Sequence, residues 1–173
     1  ELEAAPEPEP EVAAEPEPEP EPELTGFEAL DLPRELLKSL SELGYEEPTP
    51  IQAEAIPPIM AGNDLIGQAA TGTGKTAAFA LPMLSQRADH TDGTNPTALV
   101  LAPTRELALQ IDRTVQPIAR SVGLFTTQIY GGVPYARQLG ALQRGVDIVI
   151  GTPGRVQDLV NQGKLNLSKV IIT

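Results

Sequence analysis

The 173-residue chain has no cysteine and no tryptophan, a single histidine, and only three Phe and three Tyr. Without cysteine it can form neither a disulfide nor a thiolate metal site, which fits a reducing cytoplasm. The one histidine, His90, stands between Asp89 and Thr91 in a polar, turn-rich stretch from Ser85 to Pro96. It reads as a solvent-exposed loop residue, not a ligand. No apolar run approaches the ~18 residues of a membrane-spanning helix, so no membrane partner is expected. The N-terminus lacks both a basic n-region and an apolar h-region, and no secretion signal is visible. It begins with Glu, not Met, and is expected to be a fragment.

Acidic charge is present in excess, but unevenly. The formal charge is −12, from 24 acidic and 12 basic residues. Residues 1–23 hold ten Glu, no Lys or Arg, and seven of the 18 prolines. Alternating Glu and Pro denies helix and sheet pairing and stiffens an extended chain. Too little apolar surface is present there to fold. Residues 1–23 are therefore expected to be a disordered Glu/Pro-rich arm, a solvated spacer or a docking segment for an unknown partner. From Leu24 onward the count falls to 14 acidic and 12 basic, close to −2. That gives no general basic signature for nucleic acid, although local binding remains open.

The stretch that organises the rest is Ala69-Ala70-Thr71-Gly72-Thr73-Gly74-Lys75-Thr76. It follows a short apolar segment, Asp64-Leu65-Ile66-Gly67, which reads as a strand, and it enters a helical segment from Ala77. Strand, glycine loop and helix in that order are the setting of a phosphate-binding P-loop. Glycines let backbone N–H groups turn around an anion, and the helix presents its positive end. Lys75 would reach the outer phosphates and the Thr76 hydroxyl would hold Mg²⁺. The pattern usually starts with Gly, where this chain has Ala69. A nucleoside triphosphate is the expected ligand.

Around this loop, apolar runs alternate with amphipathic ones. Within Leu24 to Gly44, Pro33 suits a first helical turn, Leu36, Leu37, Leu40 and Leu43 form an apolar face, and Gly44 is placed to end the helix. Thr49 can cap a helix with Pro50 in its first turn, which places Gln52 at that helix start. The Gln52 amide matches the N6 and N7 edge of adenine, but on spacing alone a first-turn Gln reads as a solvated side chain. Thr97 to Ala102, Leu124 to Tyr130 and Val146 to Ile150 read as strands, and Val170 to Thr173 begins another. Helices are expected from Thr104 to about Ser121, from 134 to 144, and from Pro153 to about Asn161. Such alternation implies an α/β fold, a parallel sheet with helices on both faces. Ligands bind such sheets at the carboxyl ends of the strands. The turns carrying Pro103-Thr104-Arg105-Glu106 and Thr152-Pro153-Gly154-Arg155 should share that edge with the P-loop. Taken singly, Arg105 or Arg155 reads as a surface salt bridge.

Together these residues resemble the N-terminal RecA-like domain of a DEAD-box RNA helicase, over about Leu24 to Thr173. Gly44-Tyr45-Glu46-Glu47-Pro48-Thr49-Pro50-Ile51-Gln52 is similar to the family's Q motif, with Phe27 as its upstream aromatic. Ala69 to Thr76 resembles motif I, in which Ala at the first position is usual. Pro103 to Ala108 resembles motif Ia, Gly131-Gly132 the paired-glycine motif, and Thr152 to Arg155 motif Ib. Ala70 stands where many members carry a larger polar residue.

The resemblance implies roles. Gln52, with Thr49 and Tyr45, would select adenine, and Phe27 would stack nearby. Thr71, Gly72, Thr73, Gly74, Lys75 and Thr76 would hold the ATP phosphates and Mg²⁺. Arg105, Gly132, Thr152, Gly154 and Arg155 would grip an RNA sugar-phosphate backbone. The Asp-Glu-Ala-Asp and Ser-Ala-Thr motifs do not occur in the sequence, nor does the second RecA-like domain that supplies arginine fingers. The full-length parent is expected to be an ATP-dependent RNA helicase. Residues 24–173 are expected to form an incomplete domain that binds ATP without hydrolysing it. The alternatives are a non-catalytic nucleotide and RNA binding module, another kind of P-loop ATPase, or an interaction protein acting through its acidic arm.

Overall fold

The computed structural model describes residues 25–87 and 95–173. The acidic arm and His90 lie outside the described residues. A short 3₁₀ helix, Gly26–Leu30, leads through Pro33 into α1, Arg34–Glu42. Next come α2, Pro50–Met60, and α3, Lys75–Arg87. The remaining elements alternate: β1 Ala98–Leu101, α4 Arg105–Ser121, β2 Thr126–Ile129, α5 Tyr135–Arg144, β3 Ile148–Gly151 and α6 Pro153–Asn161.

The three strands form a parallel sheet in the order β1-β3-β2. Because side chains alternate along a strand, the register sorts them onto two faces. Ala98, Val100, Ile148 and Ile150 meet Leu36, Leu40, Leu81, Leu84, Val115 and Ile118 of α1, α3 and α4. On the opposite face Leu99, Val149 and Ile129 meet Val156 and Leu159 of α6, with Leu139 and Leu142 of α5 against them. The expected α/β architecture, helices on both faces of a parallel sheet, is therefore present. Burying both faces explains why β1 and β3 read as continuous apolar runs.

Two expected strands turn out differently. Residues 64–67 form no strand: Leu65 is 44% exposed and Ile66 fully so. A strand is stabilised by a paired neighbour and a covered face, and among the described residues this segment has no strand beside it. At the other end, Val170 to Thr173 pairs with β1 through one bridge, Ala98 to Ile172. Leu99 N–H donates to Ile172 O at 3.0 Å, and Ile171 N–H to Thr97 O at 3.0 Å. The other boundaries fall within a few residues of expectation, including the helix entered at Pro33, which runs Arg34–Glu42 and ends just before Gly44.

β3 ends against its neighbour so closely that only glycine fits. A Cβ on Gly151 would lie 2.5 Å from the Ile129 carbonyl oxygen and 2.7 Å from Val156 Cγ2. The backbone oxygen cannot move aside without breaking the ladder, since it also accepts from Thr152 N–H at 2.8 Å. Gly151→Ala should therefore destabilise the domain by about 1–3 kcal/mol through overpacking. Urea denaturation measures this; a midpoint equal to that of the parent chain would contradict the close approach.

Candidate functional site

The glycine-rich loop before α3 sits where two helices begin side by side. α2 packs against α3, and contacts at both ends show that they run parallel. Near their C-termini Gln86 Nε2 donates to Ile59 O at 2.8 Å. At their N-termini Gln52 Nε2 donates to Gly74 O at 3.2 Å, and the Thr49 hydroxyl donates to Thr73 O at 2.8 Å. Two positive helix ends thus converge on residues 72–76, an electrostatic setting suited to an anion.

Gln52 is the strut of this arrangement. Its carbonyl accepts the Thr49 N–H at 3.0 Å, the back-reaching half of a capping box. Its amide nitrogen holds the loop through Gly74 O, the same oxygen that accepts Ala78 N–H and opens α3. With both ends bonded, the side chain is only 2% exposed, and the solvated reading from spacing is overturned. Each end retains capacity, a second N–H on Nε2 and a second lone pair on Oε1.

Gly74 makes the close approach possible. It has φ +87°, and a Cβ there would lie 2.4 Å from Gln52 Nε2. Gly72, at φ +82°, has open space where its Cβ would be. The Thr73 hydroxyl donates to Ala70 O at 2.8 Å, tightening the turn. Lys75 donates to the carbonyls of Ala69 and Ala70, the latter at 2.8 Å. Thr71 is exposed, and Thr76 is half-buried in the first turn of α3. Tyr45 is half-buried, with its ring edge-to-face to Phe27, centroids 6.3 Å apart at 80°. Phe27 itself is in the core, 6% exposed.

The glycine loop, Lys75 and Thr76 fit a triphosphate with its cation. Backbone N–H groups at a helix start and an ammonium suit phosphate oxygens. A hydroxyl is a hard donor of the kind Mg²⁺ accepts beside phosphates and water.

The second group of expected residues lies at the carboxyl ends of the three parallel strands. Arg105 follows β1, in the first turn of α4, whose N-cap Thr104 accepts Leu107 N–H at 3.2 Å. Gly132 follows β2, 4.0 Å from Arg105 Nη1 as measured from its would-be Cβ. Thr152, Gly154 and Arg155 follow β3 at the start of α6, where nothing crowds Gly154. The structure thus brings all five to one sheet edge.

Neither arginine reads as a surface salt bridge. Arg105 lies over the Tyr130 ring, 4.9 Å from its centroid, and Arg155 over Tyr135 at 4.1 Å. The Tyr135 hydroxyl donates to Asp158, which also accepts Gln162 Nε2 at 2.9 Å. These two hydrogen bonds, the Tyr135 bond first, hold the Asp158 carboxyl below its ordinary range; the Arg155 charge adds a smaller push. Tyr130, Tyr135 and Asp158 were not singled out from sequence. The available signal was that two of only three tyrosines flank Gly131-Gly132.

The strut makes a testable coupling. Gly74→Ala should destabilise the chain both by φ strain and by pushing Gln52 from its bonds. In a Gln52→Ala background only the strain remains. The melting-temperature losses should therefore be less than additive, whereas strictly additive losses would mean the two residues do not touch.

Residues 49–173 match the DEAD/DEAH box helicase family. Among similar proteins, the ATP-dependent RNA helicase DeaD of Haemophilus influenzae is 47% identical over 145 residues, covering 83% of this chain and 23% of that protein. DEAD-box ATP-dependent RNA helicase 3A, chloroplastic, of Zea mays is 47% identical over 147 residues, covering 82% and 20%. The chain thus spans less than a quarter of the length of these curated relatives. Among solved structures, the RNA helicase Prp28 of Chaetomium thermophilum bound to ADP superposes with a TM-score of 0.79 at 41% identity, covering 86% of this chain and 37% of the other. A DEAD box protein from Methanococcus jannaschii gives 0.75 at 36%, covering 85% and 40%. The fold is RecA-like, and the chain belongs to the DEAD/DEAH box helicase family.

Proposed function

We propose that this chain forms the ATP-binding and part of the RNA-binding surface of an ATP-dependent RNA helicase, whose full-length form couples ATP hydrolysis to local RNA duplex unwinding. The observation that carries the ATP half is the bond from Gln52 to Gly74 O. It joins the residue suited to reading adenine to the loop suited to holding phosphates. Gln52, with Thr49 and Tyr45, takes the base, and Phe27 backs the Tyr45 ring. Backbone N–H groups of residues 72–76 and the Lys75 ammonium take the phosphates. In this reading Lys75 exchanges the Ala69 and Ala70 carbonyls for phosphate oxygens. Thr76 would contribute one ligand to Mg²⁺, which would supply charge neutralisation when bound.

On the RNA side, Arg105 and Arg155 donate to phosphates, while Gly132, Thr152 and Gly154 let backbone N–H groups approach the strand. Contact with the backbone alone makes the interaction sequence-tolerant and salt-sensitive. A second RecA-like domain is the partner that closes both sites. No helix among the described residues is long and apolar enough to cross a membrane. We assign the protein to a reducing, cytoplasm-like compartment from its lack of cysteine.

Titration with a fluorescent ATP analogue and Mg²⁺ tests the nucleotide site. Lys75→Ala should lose most of the affinity, and unchanged binding by a folded variant would remove the assignment. Gln52→Ala should narrow the preference for ATP over GTP by about 1–3 kcal/mol, the worth of a bidentate amide–adenine pair. Competition between the two nucleotides reads this out, and an unaltered ratio would contradict adenine reading.

A further inference from the structure

The segment joining β2 to α5 is itself anchored from both sides. The buried Gln138 of α5 donates its amide to Tyr130 O at 2.8 Å. Arg155 Nη1 donates to Val133 O at 3.2 Å, and the Tyr135 hydroxyl donates to Asp158 on α6. From this fixed segment two rings receive guanidinium groups from two different helices. Arg105 of α4 lies over Tyr130 and Arg155 of α6 over Tyr135. Both distances fall inside the ~6 Å within which a ring face attracts a guanidinium.

We infer that Tyr130 and Tyr135 are positioning residues that pre-set Arg105 and Arg155 as a pair for the phosphates of one RNA strand. The inference rests on the RNA reading of the same face. A guanidinium laid over a ring keeps its in-plane N–H groups at its edge, where phosphate oxygens accept them. A free arginine gives up rotamer freedom when a phosphate fixes it, whereas one already held on a ring gave it up during folding. The tyrosines carry no charge, so they act on affinity and leave the number of released counterions unchanged.

Binding of a fluorescein-labelled uridine dodecamer across a salt series separates these effects. Tyr130→Leu and Tyr135→Leu should each weaken binding about two- to fivefold, the range for an exposed cation–π contact. The slope of log affinity against log salt should stay that of the parent chain. Arg105→Gln and Arg155→Gln should weaken binding and reduce that slope by about one each. Tyr135→Phe keeps the ring, loses the bond to Asp158, and should bind like the parent. In the Arg155→Gln background, Tyr135→Leu should add nothing. Where a Leu variant fails to fold, fluorinated phenylalanines at positions 130 and 135 keep the shape and weaken only the ring face; affinity should fall as fluorine is added. Tyrosine variants that bind like the parent, while the arginine variants weaken, would overturn the positioning role and leave the RNA face standing. Arginine variants that bind like the parent would remove the RNA reading itself.

Discussion

One hydrogen bond, from the Gln52 amide to the Gly74 carbonyl, sets the geometry of the loop on which the proposed nucleotide site depends. It forms only because three conditions coincide. Thr49 and Pro50 start α2 so that Gln52 falls in its first turn. Gly74 has no side chain to collide with the amide and adopts a φ that L side chains avoid. The far ends of α2 and α3 are tied by Gln86, which keeps the helices parallel and their positive ends together. Losing the strut would leave the Gly74 oxygen with one donor instead of two, and the loop with only the Thr49 bond to Thr73 O to tie it to the start of α2.

The sheet does for the second site what the strut does for the first. Parallel pairing in register brings the carboxyl ends of β1, β3 and β2 level, so the turns after them share an edge. Gly151 allows β3 to pass directly against the Ile129 carbonyl before α6 starts at Pro153. The helices that follow then deliver Arg105 and Arg155 from their first turns to a common loop. Among the described residues neither arginine is paired with a carboxylate; an aromatic face lies under each, Arg155 also donates Nη1 to Val133 O, and further donors are left at the guanidinium edge.

The sequence made the alternation legible because burial on both faces leaves continuous apolar runs at β1 and β3. Motif spacing likewise placed Lys75, Thr76, Arg105 and Arg155 at helix starts, where the structure has them. Three things were not legible. Leu65 and Ile66 have strand composition, but pairing is a property of a neighbour, and no strand lies beside them among the described residues. Gln52 looked solvated because its burial depends on Gly74, 22 residues away in sequence. Tyr130 and Tyr135 stood out only by flanking Gly131-Gly132, since their contacts arise where α4 and α6 meet the same loop.

Isothermal titration calorimetry with base-free tripolyphosphate and Mg²⁺ tests most directly whether Gln52 organises the phosphate loop in addition to facing a base. This ligand offers no adenine edge, so any effect of Gln52 must pass through its bonds to Gly74 and to Thr49, which hold the loop. The account predicts weaker tripolyphosphate binding by Gln52→Ala than by the parent chain. Equal affinity in a folded Gln52→Ala variant would contradict it, because the strut would then be irrelevant to the loop it touches.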